Sequence, residues 1–140
     1  MSPTTSDAER FLRLVLRANA MFVTFSALLL VLAPGPVADF LRIFPSGVVA
    51  GFGVLLFAIA VWIFWFAGRS PLPVPIVRIV IAMDVLWPIA NYALLLVPPA
   101  ALTTQAKWAI AMTADVVALF AVLQVLGLRR LLRAAQPARS

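Results

Sequence analysis

The 140-residue sequence contains no cysteine and no histidine, only one lysine, and only five acidic residues. Without cysteine or histidine there is no disulfide, no thiol nucleophile, no imidazole base and no zinc or haem site built on those ligands. The single lysine, Lys107, stands at the start of the last apolar run, where it cannot serve as a mid-membrane Schiff base. No cofactor and no metal site is expected. The five carboxylates alone are left for acid–base chemistry, which makes an enzyme the least favoured class.

What the chain has in excess is apolar surface. Sixty-four per cent of its residues are hydrophobic, against roughly 45–50% in soluble domains. These residues are gathered into four runs, at about 11–33, 47–67, 76–97 and 107–127. Each run has about 20 residues or more, enough at 1.5 Å per residue to cross a hydrocarbon core of roughly 30 Å. A backbone in lipid must satisfy its polar groups within the segment, and the runs are too long and too evenly apolar for barrel strands. The expected fold is all-α, a four-helix transmembrane bundle. Residues 1–10 form a short amino-terminal segment and residues 128–140 a basic tail.

Punctuation between the runs agrees with this division. Ser6-Asp7-Ala8-Glu9 fits a capping box opening the first helix. Pro34-Gly35-Pro36 closes the first run and Pro98-Pro99 the third, while Gly68-Arg69-Ser70-Pro71-Leu72-Pro73-Val74-Pro75 reads as an extended linker. Asp39 to Phe44 has the character of a short interfacial helix, but the preceding Pro-Gly-Pro favours a loop.

Charge sets the orientation. With the amino terminus in the cytoplasm, that side holds Arg10, Arg13, Arg17, Arg69, Arg78, Arg129, Arg130, Arg133 and Arg139, and the far side only Arg42 and Lys107. This bias places both termini in the cytoplasm. A cleaved secretory signal is disfavoured, because Arg17 interrupts the first apolar run and three more follow. The formal charge of +6 lies mostly at the ends of apolar runs, so the bilayer and its anionic headgroups are the expected partners and nucleic acid is not. Arg129, Arg130 and Arg133 are the principal basic anchors, and Arg10, Arg13 and Arg17 share a face of the first helix.

The two halves also look like a duplicated helical hairpin. A shift of 65 residues lays Arg13 on Arg78, Asn19 on Asp84, Phe22 on Trp87, Ser26 on Asn91 and Pro34 on Pro99. Two spans per unit would make the repeats parallel.

Polar residues inside a span are costly and therefore informative. Asn19, Asp84, Asn91 and Asp115 are the candidate site, with Arg17 as counter-charge. Asp84 and Asn91 share a face of the third helix, with Pro88 between them opening a backbone carbonyl. Counting from the cytoplasmic end puts Arg17 about 9 Å deep, Asn19 and Asp84 about 12 Å and Asp115 about 18 Å, so the four are expected to converge. Two carboxylates brought together at low dielectric cannot both carry charge, and one would hold a proton or pair with Arg17. The structural alternative is that these residues only glue the bundle. Gln124 lies on the opposite side of the fourth helix from Asp115, nearer the cytoplasm, where snorkelling explains it. Gly47, Gly51 and Gly53, continued by Ala60, suit close helix approach within the chain or between copies.

At Arg17-Ala18-Asn19-Ala20-Met21-Phe22, Asp84-Val85-Leu86-Trp87 and Gln124-Val125-Leu126-Gly127-Leu128-Arg129-Arg130 the chain resembles small bacterial four-span membrane proteins. In layout it is similar to DoxX-like four-helix bundles. The resemblance implies a compact bundle in a bacterial inner membrane and no reaction. The chain does not resemble the small multidrug transporters, whose first span carries a membrane-embedded glutamate where this one offers Asn19. The leading expectation is a non-enzymatic accessory or assembly component, as a homo-oligomer or within a larger membrane complex. The alternative is a proton- or cation-coupled transporter or channel using Asp84 and Asp115, with Asn19 and Asn91 as ligating partners.

Overall fold

The computed structural model describes residues 5–96 and 101–136. Within them are five helices, α1 (Thr5–Leu32), α2 (Pro34–Leu41), α3 (Ser46–Ala67), α4 (Val74–Leu94) and α5 (Thr104–Ala135). All but α2 are long and apolar enough to cross a membrane. The fold is therefore an all-helical bundle with four candidate spans. The Pro98-Pro99 terminator, the Ser6 side chain and Arg139 lie outside what is described.

α1 packs against α3 and α5, and α4 packs against α5. Phe52 of α3 and Trp87 of α4 stack with centroids 5.4 Å apart and planes 8° from parallel, linking those two helices by side chains. Each sequence hairpin thus has its two long helices in contact. Arg130 near the end of α5 lies over the ring of Phe11 near the start of α1, 5.1 Å from its centroid. The start of α1 and the end of α5 are therefore on one side of the bundle, called below the basic end.

Each long helix buries a stripe with a repeat near 3.5 residues, the spacing of helices that supercoil around one another. On α5 it is Ala106, Ile110, Ala114, Val117, Ala121, Gln124, Leu128 and Leu131. On α3 it is Val49, Gly53, Ala60, Ile63 and Ala67. Small residues on the stripes let backbones approach. A Cβ on Gly53 would stand 2.8 Å from both Leu30 Cβ and Val31 Cγ2. One on Gly127 would stand 3.1 Å from Phe11 and 3.2 Å from Leu12. The opposite faces are apolar too, with Phe25 and Leu32 each 77% exposed. An outer surface of this kind belongs in lipid.

Two boundaries differ from the sequence expectation. Pro34-Gly35-Pro36 opens α2 rather than forming a loop, because proline in the first helical turn gives up an N–H that has no partner there anyway. Arg42 ends α2 in the left-handed conformation (φ 63°), and its N–H bonds Ala38 O at 2.8 Å. α1 starts at Thr5, as the capping-box reading expects, and α5 continues past residue 127 to Ala135, since Ala8, Leu12, Leu128 and Leu131 form one apolar cluster that extends the bundle beyond the spans. At 28 and 32 residues these helices are about 42 Å and 48 Å long, more than a hydrocarbon core requires. Much of the expected basic tail is therefore helix.

Arg13 fastens the basic end. Its Nε donates to Ala67 O at 2.7 Å and its Nη2 to Arg69 O at 2.9 Å, while Nη2 also pairs with Glu9 at 2.6 Å. Glu9, expected to cap the helix start, is committed to this pair. Arg69 in turn lies over Trp65, 4.1 Å from its centroid, as suits an aromatic at the membrane interface.

Candidate functional site

The buried stripes of three helices deliver three polar side chains to one place in the core. Asn19 comes from α1, Asp84 from α4 and Gln124 from α5, with exposures of 0%, 7% and 0%. Asn19 Nδ2 donates to Asp84 Oδ2 at 2.5 Å. Gln124 lies beside Asp84, yet neither its Nε2 nor its Oε1 completes a hydrogen bond, and Asn19 Oδ1 and Trp87 Nε1 are likewise unpaired. Phe22 and Phe120 pack together between α1 and α5, centroids 6.0 Å apart. A carboxylate in such apolar surroundings is costly unless its lone pairs are met by donors.

The expected convergence of four residues does not form. Asp115 faces outward on α5, off the buried stripe, and accepts a hydrogen bond from the hydroxyl of Tyr92 on α4. Arg17 is exposed on α1, outside the buried stripe that carries Asn19. Depth correctly paired Asn19 with Asp84 but not Asp115 or Arg17, because residues at one depth can point to opposite sides of their helices. Asn91 is half-buried and donates from Nδ2 to Trp87 O at 2.7 Å, a bond within its own helix. The hydroxyls of Thr24, Ser26 and Thr113 are similarly spent on the carbonyl four residues back.

Gln124 is the member that depth counting misses. The signal for it is present in the sequence, since Gln124 continues the repeat of Ala106, Ile110, Ala114, Val117 and Ala121, whereas Asp115 falls between those positions. The glycines divide in the same way. Gly53 is a close contact with α1, while Gly47 and Gly51 are exposed with open space where a Cβ would go. Arg129, Arg130 and Arg133 are exposed at the basic end. Among the described residues no three of His, Cys, Asp and Glu cluster as a metal site.

The arrangement therefore has two polar features inside an apolar bundle, a sealed Asn19–Asp84–Gln124 cluster and an outward-facing Tyr92–Asp115 pair. No family model matches the chain, and no curated protein or solved structure matches it.

Proposed function

We propose that this protein is a non-enzymatic accessory subunit of a larger membrane complex, held in the bilayer with its basic end in the cytoplasm. The observation that carries the reading is Asp115. Its carboxylate lies on the outer surface of the bundle, in the span of α5 and far from the arginines of the basic end, with Tyr92 at its side. Ionisable groups within a span rarely face lipid and are normally met by protein. The neighbouring exposed residues Ile89 and Met112 give that surface an apolar body. Its occupant is a transmembrane helix of another polypeptide that presents a cationic or hydrogen-bond-donating side chain at the depth of Asp115.

Orientation rests on the arginines of the basic end and the scarcity of basic residues at the other. Exposed Arg129, Arg130 and Arg133 suit anionic headgroups of a bacterial inner membrane. A transporter that couples Asp84 to Asp115 has no geometric support, because one faces the core and the other faces outward.

Site-specific photocrosslinking in the native membrane tests the accessory reading. A photoreactive residue at Ile89 or Met112 is expected to trap a distinct polypeptide, and Asp115→Ala to abolish the adduct, while the same probe at Phe25 meets only lipid. Lipid adducts alone at all three positions, or adducts only to a second copy of this chain, would overturn it.

A further inference from the structure

The corner between α1 and α3 carries two charges that the bundle itself does not use. α2 docks there, with Leu41 and the following Ile43 packed on Leu102, Ala106 and Ile110 around the start of α5. That contact places α2 at the end of the bundle opposite the basic end. Beside it, Gly35, Asp39, Arg42 and Ser46 line an open pocket of about 750 Å³, within the range of roughly 300–1,000 Å³ typical of small-molecule sites. Gly35, Asp39 and Arg42 follow one another at three or four residues and so share a face of α2 and its cap. Opposite charges at that spacing ordinarily pair. Among the described residues, neither Asp39 nor Arg42 makes an ion pair or a side-chain hydrogen bond. Arg42 also holds the left-handed conformation (φ 63°) at a helix end where glycine is the usual residue. An arginine held in a disfavoured conformation beside a pocket points to something its side chain meets there. Phe40 and Phe44, on the same segment, are exposed, as suits an element lying at the level of the lipid headgroups.

We propose that this corner binds the headgroup of one phosphatidylethanolamine molecule, with its phosphate on Arg42 and its ammonium on Asp39. Charge selects the class. One guanidinium and one carboxylate on a shared face match a headgroup that carries one charge of each sign, whereas an anionic headgroup would meet like charge at Asp39. Hydrogen bonding selects the amine. A primary ammonium offers three donors to the Asp39 carboxylate, while a trimethylated one offers none. Phe40 and Phe44 supply contact for the glycerol and acyl part, which a free headgroup lacks. Room is available at Gly35, where a Cβ would meet nothing within 4 Å. This site is independent of the accessory role, which rests on Asp115, and of the arginines at the basic end.

The test uses the full chain in mild detergent, stripped of lipid and offered equimolar phosphatidylethanolamine, phosphatidylcholine and phosphatidylglycerol. Bound lipid is counted by native mass spectrometry and unfolding is followed in parallel. One phosphatidylethanolamine per chain is expected, retained at least tenfold over phosphatidylcholine. Asp39→Asn is expected to bring that ratio near one, since the phosphate contact remains. Arg42→Gly relieves the left-handed backbone, and is expected to raise the lipid-free unfolding midpoint while cutting retention of both zwitterionic lipids tenfold or more. Gly35→Leu, which fills the pocket, is expected to lose the lipid without lowering the midpoint. Arg129→Gln with Arg133→Gln should leave the ratio unchanged, and free phosphoethanolamine at equal concentration should leave the lipid bound. Equal retention of the ethanolamine and choline lipids by the wild type, a wild-type ratio in folded Asp39→Asn, wild-type retention in Arg42→Gly, or displacement by free phosphoethanolamine would each overturn the proposal.

Discussion

Asn19 and Asp84, 65 residues apart, meet at 2.5 Å in the core of the bundle and join α1 to α4, helices that are not close neighbours along their backbones. The separation equals the shift at which the two halves of the sequence were aligned. A polar link of this kind fixes register where apolar packing against lipid does little to distinguish one register from another.

Removing one member of that pair is expected to cost more than removing both. Asn19→Leu strips a donor from a buried carboxylate and should destabilise the bundle by about 1–3 kcal/mol. Asn19→Leu with Asp84→Leu should recover part of the loss, because no unpaired polar group is then left. A double-mutant cycle of thermal or denaturant unfolding in detergent measures the coupling.

The glycines of α3 should behave unequally. Gly53→Ala places a Cβ 2.8 Å from Leu30 and Val31 of α1, and should cost about 1–3 kcal/mol through overpacking. Gly47→Ala and Gly51→Ala meet open space and should leave the unfolding midpoint unchanged.

Arg13 should hold the connection between α3 and α4. Arg13→Ala removes the donors to Ala67 O and Arg69 O, and is expected to speed tryptic cleavage after Arg69 severalfold in intact bundles. Arg13→Lys should not restore protection, since a single ammonium lacks the fork that reaches both carbonyls and Glu9. Arg10→Ala should cleave at the wild-type rate.

Orientation is directly measurable because the chain has no cysteine of its own. Ser70→Cys lies at the basic end and Ser46→Cys at the other, both exposed. An impermeant maleimide added to intact cells should label Ser46→Cys and spare Ser70→Cys, with the pattern reversed in inverted vesicles.

The four spans were legible in the sequence because each apolar run is as long as the hydrocarbon core and ends in proline, glycine or charge. That Asn19 and Asp84 could meet was legible in their equal depth within their spans. Which side of a helix faces inward was harder to read, because in lipid both sides are apolar and hydropathy alone carries little phase. Small residues carry that phase instead. Ala106, Ala114 and Ala121 mark the inner face of α5, and they put Gln124 inside and Asp115 outside, the reverse of what depth suggested. A short helix near α2 was considered and set aside for a loop, because Pro34 and Pro36 break a helix in its interior although they are compatible with its first turn.

The central claim, that Asp115 docks this bundle onto another membrane protein, is tested most directly by native mass spectrometry of the protein extracted in mild detergent from its own membrane at its natural level. The account predicts the 15.1 kDa chain in fixed stoichiometry with a second polypeptide, and loss of that partner in Asp115→Ala while the bundle stays folded. A wild-type chain found alone or with lipid only, indistinguishable from Asp115→Ala, would contradict it.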